Sequence, residues 1–205
     1  MNRRDVLYSA VCLAAASLPI RQAHAQQIDV NAILNDPEAP EGGNPEGDVT
    51  IVAFLDYNCP FCKKSAPDLE RVVKTDGKIR LVYKDWPILS EASVYGAQVA
   101  IGAKYQGRYE TVHKALMGIP GHKIPQERML DAVKASGVDL ERLQADLDAN
   151  REKISELLRR NLAQADSLNL AGTPTYLIGR YKTSTLDYAG FLRAVSADRA
   201  AQAEK

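Results

Sequence analysis

The spacing of apolar residues changes character from block to block along this chain, and each change marks a predicted element. Val49 to Leu55 is a continuous apolar run with the length and β-branched content of a buried strand. From Lys63 to Lys74 the apolar positions Ala66, Leu69, Val72 and Val73 recur at helical spacing, and Pro67 within that run predicts a kink because it deletes one backbone hydrogen bond. Lys78 to Lys84 sets Ile79, Leu81 and Tyr83 against Arg80, Val82 and Lys84, a period of two that predicts a second strand. Residues 48–84 therefore predict one βαβ unit with parallel strands and a helix crossing between them.

Beyond Trp86 and Pro87 the period is helical, with runs near 90–105, 107–117, 126–136, 139–148 and 150–168. Gly107, Gly118 to Pro125, Gly137 with Asp139 as an N-cap, and Asp148 to Asn150 supply the breaks. Tyr176 to Ile178, a turn at Gly179 and Arg180, and Tyr181 to Thr185 predict a strand, tight turn and strand, and Asp187 to Ala203 a final helix. The order βαβ, helical block, ββα is that of an α/β thioredoxin fold interrupted by a helical insertion. Its parts are 48–89, the insertion 90–168, and 169–205. The segment 26–47 is polar and rich in Pro, Gly and acids apart from Ile28, Val30, Ile33 and Leu34, which predicts a short helix or arm and then a loop. The apolar face of this arm serves as a clasp on the domain or as a contact for self-association.

The chain is 45% hydrophobic and 25% charged, the composition of one globular domain, and its formal charge of +0 offers nothing to nucleic acid or an acidic membrane surface. The first 25 residues read separately. Arg3 and Arg4 precede an apolar stretch from Val6 to Ile20, and Ala23, His24 and Ala25 have the small-x-small form of a cleavage site, as in a secretory signal peptide. The stretch is shorter than the ~20 residues a membrane span needs. The arginine pair with Leu7 partly matches a twin-arginine signal, but Asn2 and Val6 depart from it, so the general secretory route is expected. Cleavage after Ala25 removes three basic residues, one acidic residue and Cys12, leaving a mature charge of about −2.

The mature chain then has two cysteines, in Cys59-Pro60-Phe61-Cys62, at the junction of the first strand and the first long helix. An exported protein with these two alone has no thiols for a disulfide scaffold, so the pair is there for reactivity. A Cys at a helix N-terminus faces unpaired N–H groups and the positive end of the helix dipole, which favour thiolate. Cys59 is thus the expected nucleophile, Pro60 suits the first helical position, and Cys62, one turn further in, can attack a mixed disulfide formed at Cys59. Structural zinc is disfavoured, because only His113 and His122 accompany the pair and their spacing matches no common finger. They read as a solvated helix residue and a loop residue, and Trp86, Tyr95, Tyr105 and Tyr109 as core packing. No metal or cofactor is expected.

Phe54 to Cys62, Lys84 to Leu89 and Gly172 to Gly179, in that order and spacing, resemble the exported DsbA-like thiol-disulfide oxidoreductases, nearest the ScsC and Com-type branch. The resemblance covers about residues 28–200. It implies a periplasmic protein that forms or isomerises disulfides in exported cysteine-containing proteins and works with a membrane redox partner of DsbB or DsbD type. It also implies that Thr173 and Pro174 form a cis-proline loop beside the dithiol that pairs with substrate backbone. Two positions depart from the pattern. Relatives commonly place a buried acid six residues before the first Cys, where this chain has Ala53, so Asp56 is the nearest candidate for a proton relay, and a weak one because strand residues alternate faces. Phe61 replaces the His of the strongest oxidases, which predicts a Cys59 pKa below the ~8.5 of a free thiol but above the ~3.5 of the strongest oxidase, and a milder oxidant. The rival from another class is a copper(I)-binding protein of copper tolerance, since two soft thiolates can hold Cu(I).

Overall fold

The computed structural model describes residues 28–204, so the export signal read over residues 1–25 lies outside the described residues. The elements are α1 (Val30–Leu34), β1 (Glu41–Gly43), β2 (Val49–Leu55), α2 (Pro60–Asp76), β3 (Ile79–Asp85), α3 (Glu91–Lys104), α4 (Tyr109–Met117), α5 (Gln126–Ala135), α6 (Leu140–Ala149), α7 (Arg151–Ser167), β4 (Thr175–Ile178), β5 (Tyr181–Thr183) and α8 (Tyr188–Ala203). The strands form one sheet in the order β1-β3-β2-β4-β5. β2 and β3 are parallel, in the register Ala53↔Tyr83 and Leu55↔Asp85, while β4 runs antiparallel to β2 and β5 to β4. This is the thioredoxin arrangement, with α3 to α7 inserted between β3 and β4.

The period of two in β2 divides the core. Val49, Ile51, Ala53 and Leu55 face a large apolar layer with Leu69 and Val72 of α2, Phe191 and Val195 of α8, and the inserted helices. Val52 and Phe54 face the other way, against Val82, Trp86, Ile33 of α1 and Ala165 of α7. Because helices cover both sides, all seven positions of β2 but one are fully buried, which is why its sequence reads as a continuous apolar run.

The structure departs from the sequence expectation at β5, which ends at Thr183 rather than Thr185, and more consequentially at β1 and Lys84. Residues 41–43, read as loop, form the edge strand β1 antiparallel to β3. Three residues with two glycines carry no alternating pattern, so tertiary pairing alone places them in the sheet. Lys84, on the polar side of the period-two reading, is fully buried beneath the arm. Its charge faces Asp36, whose carboxylate lies 3.8 Å from the Lys84 Nζ and accepts both Nε and Nη2 of Arg160 from α7 at 3.0 Å. Burial pushes the Lys84 pKa down to about 8. Burial opposes ionisation of Asp36 as well, but Arg160, the Glu38 N–H and Lys84 outweigh it and hold this carboxyl below its usual range. The arm is thus clasped to the domain by a charge triad in which Lys84 and Asp36 are buried and Arg160 reaches the surface.

Asp36→Ala leaves the Lys84 ammonium buried without a counter-charge, and it should cost about 3 kcal/mol in urea unfolding, largely recovered by adding Lys84→Met. Since Asp36 titrates lower in the folded chain than in the unfolded one, the wild-type advantage should shrink as pH falls below ~4.

Candidate active site

The C-terminal ends of β2 and β3 set the site. After Leu55 the chain turns through Asp56, Tyr57 and Asn58, and Cys59 becomes the N-cap of α2 with extended backbone (φ −78°, ψ 115°). Pro60 occupies the first turn, where a missing N–H costs no hydrogen bond. The Cys59 sulfur takes the place of a capping oxygen: it accepts the backbone N–H of Cys62 at 3.1 Å. On its other side the Cys59 thiol donates to the Thr173 carbonyl at 3.1 Å. The Thr173–Pro174 bond is cis, and the following strand pairs with β2 at Phe54↔Thr175, which brings this loop against the start of α2. Both cysteines are buried free thiols.

Their electrostatics diverge. Cys59 is pulled down to about 6, first by the hydrogen bond from the Cys62 thiol, with the Thr173 side chain and the N–H groups of Cys62 and Phe61 adding to it against the opposing effect of burial. Cys62 is pushed far up, by burial first and then by the neighbouring Cys59 sulfur. One sulfur is poised to be a thiolate near neutral pH and the other to keep its proton.

Two polar residues of the turn hold the approach to α2. The buried Asp56 carboxylate accepts the N–H of Asn58 at 2.7 Å and those of Ile88 and Leu89 at 2.9 and 3.0 Å, fixing the loop after β3 against the loop after β2. Asn58 donates from Nδ2 to Ser90 Oγ and the Ile124 carbonyl, and its Oδ1 accepts the Ile124 N–H at 2.6 Å. The segment 118–125 of the insertion is thereby hung on the residue preceding Cys59. Between these loops lies a mainly apolar cleft of about 450 Å³ lined by Asn58, Pro60, Leu89, His122, Ile124 and Pro125. Phe61, 59% exposed, stands at the surface of α2, and Ile88 and Leu89 are also exposed. Nothing in the sequence pattern marked Asn58, because its partners lie 32 and 66 residues away.

His113, read as a solvated helix residue, is buried instead. Its Nδ1 lies 2.9 Å from the Tyr57 hydroxyl, its ring packs on Tyr83 and Tyr109, and burial pushes its pKa down to about 3. A lone helix has an outer face at this position, but α4 packs against α2 and α3 and covers it. In the same layer Asp85, at the end of β3, is fully enclosed. Tyr109 donates to its Oδ2 at 2.9 Å, and burial raises the carboxyl to about 7. Trp86 and Tyr109 are core residues, Tyr95 and Tyr105 pack partly buried against the core, and His122 is an exposed loop residue. Among the described residues no three His, Cys, Asp or Glu side chains gather into a group able to hold a metal ion, and no helix is long and apolar enough to cross a membrane.

A family model described as Thioredoxin matches residues 36–197, and the chain belongs to that family. Among solved structures it is similar to a thioredoxin-like oxidoreductase from Silicibacter pomeroyi, at 36% identity and a TM-score of 0.78 over 84% of this chain and 98% of that one. It is also similar to the thiol-disulfide exchange protein α-DsbA2 from Wolbachia pipientis, at 28% identity and a TM-score of 0.76 over 82% and 90%. The catalytic domain of Proteus mirabilis ScsC shares the fold, at 24% identity and a TM-score of 0.75 over 83% and 94%. Among curated relatives it is 27% identical over 180 residues to the Na(+)/H(+) antiporter NhaA 3 of Salinispora tropica, which covers 81% of this chain and about a quarter (26%) of the antiporter's length. The chain therefore has a thiol-disulfide oxidoreductase fold with DsbA-like neighbours.

Direct titration of Cys59, read as the pH dependence of its alkylation in the reduced protein, should give an inflection near pH 6. A value near the ~8.5 of a free thiol, or near the ~3.5 of the strongest oxidase, contradicts this geometry.

Proposed function

We propose that the protein is a periplasmic thiol-disulfide oxidoreductase that forms or isomerises disulfides in exported cysteine-containing proteins through Cys59 and Cys62. The observation that carries the reading is the position of the Cys59 sulfur, capping α2 at 3.1 Å from the Cys62 N–H and lying 3.1 Å from the carbonyl of the Thr173–Pro174 loop. Thiolate is the reactive form in exchange, and a thiol with a pKa near the ambient pH combines a usable thiolate fraction with retained nucleophilicity.

In this reading the Cys59 thiolate attacks one sulfur of a substrate disulfide, or a substrate thiolate attacks the Cys59 sulfur of the oxidised pair. Both routes pass through a mixed disulfide at Cys59, which Cys62 resolves when a substrate disulfide is reduced and a second substrate thiolate resolves when one is formed, releasing Cys59 as a thiolate. Thr173 and Pro174 take the substrate backbone, and the apolar cleft beside Pro60, with exposed Phe61 and Leu89, receives apolar side chains of a segment that has not finished folding. Asp56 supports the site by ordering the loop at Ile88 and Leu89, its carboxylate being engaged by three backbone N–H groups. The direction of net flow follows from the redox partner, of DsbB or DsbD type, that keeps the pair oxidised or reduced.

The Cys62→Ser variant, unable to resolve, should accumulate covalent complexes with scrambled ribonuclease, whose disulfides the Cys59 thiolate attacks, that dithiothreitol releases, and Cys59→Ser should form none. Wild-type protein should oxidise the reduced substrate, refold the scrambled one, or both, and its solution mass recorded alongside tests self-association through residues 26–47. Absence of trapped complexes, together with stoichiometric tight Cu(I) binding, would overturn this reading in favour of copper handling.

A further inference from the structure

The cleft beside Cys59 has two sides that are far apart in sequence. Leu89, Ser90 and Ala92 at the start of α3 build one, and the loop 122–125 of the insertion builds the other. Asn58 and Pro60, the residues on either side of Cys59, complete the lining.

The buried Asn58 side chain is bonded to both sides. Its Nδ2 donates to Ser90 Oγ at 2.9 Å and to the Ile124 carbonyl at 3.2 Å, and its Oδ1 accepts the Ile124 N–H at 2.6 Å. A primary amide has two N–H donors, and both are in use here, one toward each side. Turning the amide over would set its N–H groups against the Ile124 N–H, so the partners fix its orientation. The root of the side chain is fixed as well. The Asn58 N–H donates to Asp56 Oδ1 at 2.7 Å, and the Cys59 N–H donates to the Asp56 carbonyl at 3.1 Å.

The loop depends on this contact. Among the described residues, the hydrogen bonds of residues 120–124 run to Asn58 alone. Within that stretch Gly121 at φ 92° and Lys123 at φ 55° have left-handed backbone, which a lysine keeps only where its surroundings impose it. Asn58 supplies the constraint by holding both backbone groups of Ile124, the next residue. One amide therefore sets the separation of the two sides and their placement relative to Cys59.

The position and lining of the cleft indicate its occupant. A substrate cysteine joined to Cys59 carries its sequence neighbours with it, about 3.8 Å away between Cα atoms, and the cleft begins at the residues flanking Cys59. The cleft is mainly apolar and, at about 450 Å³, has room for a large side chain. We propose that Asn58 determines the specificity of exchange, by holding the cleft at a width that takes a leucine- or phenylalanine-sized side chain next to the reacting cysteine of the substrate. This rests on the oxidoreductase reading above. Asn58 acts through Ser90 and Ile124, as a positioning residue.

Two short peptides test it, each with one cysteine flanked on both sides by leucine or by serine and presented as a mixed disulfide with thionitrobenzoate. The Cys59 thiolate of the reduced protein attacks the peptide sulfur. The bond from Cys59 to the peptide forms as the probe disulfide breaks, and thionitrobenzoate leaves with the electron pair as a coloured thiolate. Each rate is divided by that of the same peptide with free glutathione, which removes intrinsic differences between the probes. Wild type should favour the leucine peptide by about 10-fold or more, the discrimination an apolar pocket supplies. Asn58→Ala should bring this ratio close to unity. Any change in the reactivity of Cys59 itself acts on both peptides and cancels, and a residue that only stabilised the fold would leave the ratio alone. Ser90→Ala, which removes one bond to the other side of the cleft, should lower the ratio in the same direction and decides the matter if Asn58→Ala does not fold. A wild-type ratio near unity, or a wild-type preference retained in the folded Asn58→Ala protein, or in Ser90→Ala where the former does not fold, would overturn the proposal. The first release of thionitrobenzoate needs only a thiolate at Cys59, so the ratio is obtained even if the protein neither oxidises nor refolds a protein substrate.

Discussion

The contact on which the rest of the structure depends is the backbone N–H of Cys62 pointing at the Cys59 sulfur across the first turn of α2. It makes one cysteine the cap of a helix and buries the other one turn further in. A helix N-terminus stabilises negative charge on its cap, and a buried second thiol donates to that charge while keeping its own proton. The asymmetry between two chemically identical groups, one near pH 6 and the other far above the ordinary thiol range, is a consequence of where the helix begins.

That starting point is held from three sides. The parallel pair of β2 and β3 delivers both loops to one end of the sheet, and the Asp56 carboxylate ties them together. β4 brings the Thr173 carbonyl to the sulfur from the second half of the fold. The insertion supplies the third support: Asn58 holds Ile124, and Lys63 holds Leu116 and Ile119. The inserted helices are therefore part of the site's scaffold as well as its cover. They also close off the layer containing His113, Tyr57, Tyr109 and Asp85, a buried polar cluster inside an otherwise apolar core.

The sequence made β2, α2 and β3 legible because their periods are sustained over at least seven residues and each ends in a turn signal. The inserted helices were legible for the same reason, within a residue or two at their ends. β1 was not, since a three-residue edge strand containing two glycines has no period to detect. The thiols could be found from motif and spacing, and the Thr173–Pro174 loop through the family resemblance. The residues that support them could not: Asn58, Lys63 and Asp85 act through partners more than twenty residues distant, and polar residues of these types are usually solvated. His113 and Lys84 misled for that reason, as each lies on a face that a later element covers.

The central claim is that the helix cap and the buried second thiol, without a charged residue between the cysteines, set a moderate stabilisation of the thiolate and hence a moderate oxidant. The equilibrium of the Cys59–Cys62 pair with glutathione buffers measures this directly. The account predicts a reduction potential between the roughly −120 mV of a DsbA-type oxidase and the roughly −270 mV of thioredoxin. A potential at or beyond either of those values would contradict it.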